Sequence, residues 1–560
     1  MKKIAFVPLW VCLLFMLNAC VHKAPESQSF SPQTTAIIEQ LYTQADRRAI
    51  NWSIFEQGLG DSNEEVRKLA VLSLGRIGGA HAAERLSLML ADKSAVVRAA
   101  TALALGISAE PDRVPLLIQA YSTESTVTVK KEMLLALGSL GGKTAAQFLN
   151  LQILRDDVAD AAAQAIGLLA TWHRNDLIVT PSLYTRLLKL SAMQKTKSLN
   201  AAFALTRIPW PKDYIDESAW ELAINSAQAP AAKALLIKAW GRLPKVKGFA
   251  VILRQMSNSS IAVRIEAIRA LHGFVDQPQV KAMLFDCVDR CKPALAAEAI
   301  TALANTASPQ VFEQLSARSK NFNYQWLKVS LFDAWLKRDR RAALQWSLNH
   351  VSPEDVVWLA KLIKELDKTE YQTERSRLLT WLQQTAKHRQ QRWKHELPEA
   401  KEPEYPAQST PDYEQVAPIN LLKVEVVTNR GTMVFGFDKH APYTAYHFIQ
   451  RVRDGFYNGS LFSRVIPNFV AQGGEHQGDG SGHVGYTIRE EISSLSHQPG
   501  TIGMATIGKD TGGAQFFINL APNLHLDRHY TLFGKVISGF DVAQSLQLGD
   551  WIVTARVVDS

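Results

Sequence analysis

Cysteine is scarce, with four among 560 residues, at positions 12, 20, 287 and 291. That excludes a disulfide-built scaffold, which needs a dense set of paired thiols. Past the N-terminal segment, no apolar run reaches the roughly 18 residues that read as a bilayer-spanning helix. Neither sign of charge dominates: 62 Lys and Arg stand against 53 Asp and Glu, a net +9. Spread over this length, the excess does not indicate a nucleic-acid partner. It is also uneven, at +10 in residues 1–420 and −1 in residues 421–560. The Gly-rich Gly478–Gly485 stretch lacks both a strand–GxGxxG–helix setting and a Walker lysine, so it predicts no phosphate site. Apolar material is plentiful at 47% of the chain, which excludes global disorder. The length predicts several domains at about 150 residues each.

The first twenty residues read as an address. Lys2 and Lys3 precede a mostly apolar run from Ile4 to Leu17, too short to span a bilayer, and the pattern is that of a targeting signal. Leu17-Asn18-Ala19-Cys20 resembles a bacterial lipobox, in which the cysteine becomes the lipidated first residue after cleavage. The expectation is a signal peptide over 1–19, lipidation at Cys20 and a polar tether over 20–34. Val21 lacks the aspartate that retains similar lipoproteins at the inner membrane. The resemblance therefore implies a lipid anchor in the outer membrane, facing the periplasm.

Residues 35–386 carry internal repeats. Apolar-Gly pairs begin at Leu74, Leu105, Leu137 and Ile166, and turns rich in Asp and Ser precede each helical stretch. Asp or Ser there predicts an N-cap, and the i, i+3, i+4, i+7 pattern predicts a face buried on the preceding hairpin. The glycine of each pair is expected to end or bend its helix. Ser352 with Pro353 predicts the start of another helix. These units resemble HEAT-like repeats, which implies an all-α solenoid of ten or eleven hairpins and a surface for a protein partner, here one of the cell envelope. Cys287 and Cys291 lie four apart on one helix face. Such a pair in a straight helix approaches the upper Cα distance for a bridge, so buried single thiols are expected.

Proline and charge interrupt the helical pattern over 387–420, a linker, and from Leu421 the periodicity becomes that of short strands. Strands are expected at 422–427 and 432–437, a helix over Pro442–Val452, and a second near Phe540–Leu546. Within 421–560, Phe462-Ser463-Arg464-Val465-Ile466-Pro467-Asn468-Phe469-Val470-Ala471-Gln472-Gly473-Gly474 resembles the signature of cyclophilin-type peptidyl-prolyl isomerases. Gly500–Ala505, Gly513–Ile518 and Leu526–Val536 extend the likeness in order and spacing. The resemblance implies an eight-stranded antiparallel β-barrel with two helices, and isomerisation of X–Pro bonds in periplasmic or outer-membrane polypeptides without any cofactor or metal.

It also implies roles. Arg464 would donate to the prolyl nitrogen as the amide twists, and Gln472 would orient Arg464 and bind substrate backbone. Phe469, Val470, Phe517, Leu526 and Tyr530 would line a proline pocket, while Gln515 and the backbone at Thr506 would hold the residues before the proline. Ser463, Val470, Thr506-Ile507, His525 and Tyr530 depart from common members. Ile507 is expected to crowd the groove. His476, His483 and Asp479 form a weak metal candidate. The alternative function is a scaffold or envelope adaptor that grips proline-containing segments without catalysis.

Overall fold

The computed structural model describes residues 31–385 and 411–558, apart from 194–195, 244–248, 307 and 412. The signal, Cys20 and most of the tether and linker lie outside the described residues. Among the described residues, twenty-two α-helices run from Pro32–Arg47 to Gln372–Thr385, stacked as hairpins. None of the described helices is long and apolar enough to cross a membrane.

Local chemistry accounts for the repeat. Asn63 and Ser94 cap the helices Glu64–Ile77 and Ala95–Ser108 by accepting from Glu65 and Val96 amides at 2.9 and 3.2 Å. The Asp residues of these turns have a different task. Asp92 accepts the Arg67 guanidinium at 2.8 Å, and one repeat later Glu124 accepts that of Arg98 at 2.7 Å. Lys131–Asp160 at 3.0 Å continues the ladder. The bond from Arg98 holds the Glu124 carboxyl down at about 2.

The glycines of the apolar-Gly pairs are not helix ends. A Cβ on Gly75 would lie 2.6 Å from Ala104, and one on Gly138 would lie 2.4 Å from the Ala165 carbonyl oxygen. They are points of closest approach between successive inner helices. The ends fall a few residues later at Gly78 and Gly141, whose φ values of 79° and 76° suit glycine. Two further expectations are corrected. The helix Val356–Leu366 starts after Asp355, which accepts the Ser352 amide at 3.0 Å, so Pro353 belongs to the preceding turn. Cys287 and Cys291 are joined in a disulfide. Cys291 is the C-cap of the helix Pro278–Arg290, and the two Cα atoms stand 4.7 Å apart, within the span of a disulfide.

The second domain is a curled antiparallel sheet. Its strands are β1 Lys423–Thr428, β2 Gly431–Phe437, β3 Arg464–Ile466, β4 Val470–Gly473, β5 Thr501–Met504, β6 Phe516–Asn519, β7 Leu532–Ser538 and β8 Ile552–Val558. Their order is β3-β4-β6-β5-β7-β2-β1-β8. Backbone bonds between 459–462 and 549–552, including Phe462 N to Asp550 O at 2.7 Å, join the ends of the curl. Phe435, Phe448, Phe462, Phe516, Phe533 and Tyr457 fill it, all buried. The helices Pro442–Arg453 and Phe540–Ser545 lie where expected. Residues 413–420, expected to be linker, belong with Leu421 to helical turns that bury Val416 and Ile419.

The solenoid curves around this barrel and touches it from first repeat to last. Tyr42 packs on Tyr443 with ring centroids 5.0 Å apart. Arg76 donates to the carbonyls of His440 and Ile492 at 3.1 and 3.2 Å. Glu132 pairs with Arg528. Trp172 lies on His529 at 4.0 Å. Val356 and Ala360 approach the barrel loop at Gly478.

Candidate active site

Strands β3 and β4 form a hairpin in which Arg464 stands opposite Gln472. Opposed residues project to the same face, and Arg464 Nη1 donates to Gln472 Oε1 at 3.1 Å. Gln472 Nε2 then donates to Gln515 Oε1 at 2.9 Å. Gln515 Nε2 closes the line on the carbonyls of Gly480 and Gly482, at 2.8 and 3.0 Å. Two amides thus fix the guanidinium's direction. The Arg464 guanidinium also lies over the Phe469 ring, 5.4 Å from its centroid. Burial lowers its pKa and the neighbouring Tyr530 opposes the shift. The cation persists at neutral pH.

Beside Arg464, Val470, Phe517 and Leu526 form a small apolar cluster, separate from the barrel core, with Phe469, Ala505 and Tyr530 packed against it. Phe517 meets Tyr530 edge-on at 6.2 Å. The five residues expected to line a proline pocket are therefore brought together. Thr506 follows Ala505, whose amide is held by the Gln515 carbonyl at 3.0 Å. Ile507 is 99% exposed and packs on none of these residues. His525, another of the departures, stacks on Phe469 at 5.5 Å.

Polar groups in and beside the Gly478–Gly485 loop are engaged locally. His476 Nε2 lies 2.7 Å from the Phe456 carbonyl, and Asp479 accepts from Ser481. Among the described residues, no three His, Cys, Asp or Glu side chains are grouped for a metal.

Several supports were missed in the sequence. His497 is fully buried, lies parallel to the Phe517 ring at 5.9 Å, and has Nδ1 3.0 Å from Asp527 Oδ1. Gln164 of the solenoid donates to Asp527 Oδ2 at 2.8 Å. Asn523 donates to the Phe469 carbonyl at 2.9 Å. Gly503 leaves room for Phe517, since a Cβ there would stand 2.3 Å from the ring. Only Gly503 and Asn523 lie near the motif's residues; His497 and Gln164 reach it through folding, and no spacing announces them.

A fixed cation beside an apolar slot on a curled antiparallel barrel defines a site that receives a ring-sized apolar group next to a polar amide. Residues 423–558 match the family described as cyclophilin-type peptidyl-prolyl cis-trans isomerase, and residues 35–106 and 85–170 match HEAT repeats. A peptidyl-prolyl cis-trans isomerase of Synechococcus elongatus is 43% identical over 134 residues, which are 23% of this chain and 92% of that protein. Peptidyl-prolyl cis-trans isomerase B of Bacillus subtilis is 45% identical over 123 residues, 22% of this chain and 86% of that protein. The Schizosaccharomyces pombe isomerase ppi1 is 39% identical, again over 86% of its length. The chain belongs to the cyclophilin-type peptidyl-prolyl cis-trans isomerases, with a HEAT-like solenoid fused ahead of the catalytic barrel. Its reaction is the cis–trans isomerisation of X–Pro bonds.

Proposed function

We propose that Arg464 is the catalytic residue of this isomerase, acting on X–Pro bonds of envelope proteins that the solenoid helps to position. The observation that carries this reading is the Arg464–Gln472–Gln515 line bordering the Val470–Phe517–Leu526 slot. Rotation about an X–Pro amide faces a barrier of about 18–20 kcal/mol because the C–N bond has double-bond character. Twisting makes the prolyl nitrogen pyramidal and returns its lone pair. Arg464, charged and rich in rigid N–H donors, donates to that lone pair without moving a proton. The bond is strongest in the twisted state, so it lowers the barrier. The pocket holds the ring, while Gln472, Gln515 and the Thr506 backbone hold the chain around it.

The test compares the full chain with Arg464→Ala on a panel of X–Pro peptides by NMR exchange. Loss of one such donor is expected to lower kcat/KM by about 10²–10³-fold. Absence of acceleration by the parent chain would overturn the catalytic assignment and leave a proline-binding scaffold.

The cellular setting belongs to the same proposal. Lys2, Lys3, the apolar run and Leu17-Asn18-Ala19-Cys20 support export, acylation at Cys20 and an anchor in the outer membrane, with the enzyme facing the periplasm. Intact-mass measurement on the membrane-extracted protein tests it. A mature chain beginning elsewhere than an acylated Cys20 would overturn the anchor, and Cys20→Ser is expected to abolish membrane retention.

A further inference from the structure

The groove has two ends. At one end of β4 stand Gln472, Gln515 and the backbone before Thr506; at the other stand Phe469 and His525. If the residues before the proline are held at the glutamine end, those after it leave past Phe469 and His525. That exit is bordered by the solenoid. Glu266 accepts from Asn468 Nδ2 at 2.8 Å, and Arg269 donates to the Pro467 carbonyl at 2.9 Å, so the helix Ile261–Ala270 grips the turn that carries Phe469. The helix Ala159–Trp172 packs on the short turn Leu524–Leu526.

The solenoid surface along this exit is cationic. Arg207, Lys238 and Arg242 all lie within electrostatic reach of His525. Arg174, Arg207 and Arg242 line one cavity of about 560 Å³, and Lys238 and Arg242 line a second of about 340 Å³. Among the described residues, none of these four cations is ion-paired to a carboxylate. Arg242 donates to the Thr206 carbonyl at 2.7 Å. Arg207 Nε is buried and has no hydrogen-bond partner. Two carboxylates also line the second cavity: Glu266 and Glu298 both pair with Arg269, and Glu266 attracts Lys238 as well. Arg207 is pushed down to about 10 by burial and then by Arg242. Arg207 and Lys238 are half-buried and Arg242 is exposed beside them, so the surface presents a positive field that an incoming anion would satisfy.

We propose that Arg207, Lys238 and Arg242 form a specificity wall on the exit side of the groove, which selects proline segments followed by acidic residues. The occupant is a polypeptide bearing Asp or Glu a few residues after the proline. The argument is charge complementarity at the end of a groove that already binds a peptide. The proposal rests on the placement of the substrate given above, and it assigns the repeats a direct share in choosing the bond to be turned.

The test uses the full chain and peptides that share one X–Pro core, followed by three Glu, three Gln or three Lys residues. Affinity by NMR titration and kcat/KM by exchange are both read. The expected result is about tenfold preference for the Glu peptide over the Gln peptide at low salt, the Lys peptide weakest, with the preference shrinking towards unity in 0.5 M salt as screening takes hold. In the Lys238→Gln, Arg242→Gln double variant, the Glu-to-Gln ratio, which is internal to each preparation, is expected to fall at least threefold. Equal affinity of the parent for Glu and Gln peptides would overturn the wall, as would an unchanged ratio in the double variant. Binding of the peptides without turnover of any would overturn the catalytic reading instead.

Discussion

At the scale of single residues, the site depends on direction more than on charge. Arg464 is aimed by two amides in series, and its planar fork presents several donors at fixed angles. Lysine keeps the charge but not the fork. Arg464→Lys is therefore expected to stay at least tenfold below the parent in kcat/KM, measured by exchange on one X–Pro peptide. The motif around residue 464 was legible because its residues are neighbours in sequence or lie at fixed intervals from it. Ile507 shows the limit of that legibility. Its position in the string says nothing of its packing, whereas in the fold its side chain is almost wholly exposed, with its amide held by Thr511 Oγ1 at 3.0 Å. His497 shows the converse. It backs Phe517 from a loop whose spacing carries no signal, and only the completed fold brings it there.

At the scale of elements, the repeats were legible as helices because apolar periodicity survives in one dimension. What joins one repeat to the next was not. The Arg67–Asp92 and Arg98–Glu124 pairs look in the string like ordinary solvated charges. The glycines were seen but given the wrong task, since their Cβ-less backbones meet residues about thirty positions away. Gly138→Ala is accordingly expected to destabilise the chain by about 1–3 kcal/mol, the usual cost of overpacking a close contact. Urea unfolding followed by circular dichroism measures it. An unchanged midpoint would show that the contact with Ala165 relaxes freely. The sheet was legible in type and in its first two strands, but its order, with β6 between β4 and β5, was supplied by the structure.

At the scale of the whole molecule, the interface between solenoid and barrel carries its own pH dependence. Glu490 sits in the barrel loop that meets the first repeat. Burial, and then the charge of Asp510, push its carboxyl up from 4.5 to about 7. Arg48 bonds both Asp510 and the Glu490 carbonyl across the same seam. A carboxyl with a raised pKa in the folded state holds its proton more tightly there than in the unfolded chain. Its contribution is fully present below pH 4.5 and is lost as pH rises through about 7. Glu490→Gln keeps the neutral form at every pH. Its Tm is expected to match the parent near pH 5 and exceed it by pH 8, in thermal melts at fixed ionic strength. A difference that does not change with pH would exclude Glu490 as the titrating group.

The contacts that run from Tyr42 to Ala360 also change what kind of object the solenoid is. A free stack of helical hairpins is nearly one-dimensional, and its ends can melt while its middle stays folded. Here the barrel acts as a keystone, touching repeats that do not touch one another, so fraying at either end must also break contacts to the body that braces the rest. The consequence is cooperativity: the arm should lose its helices in one step with the barrel, and the enzyme's groove and its proposed recruiting surface would then persist or vanish together.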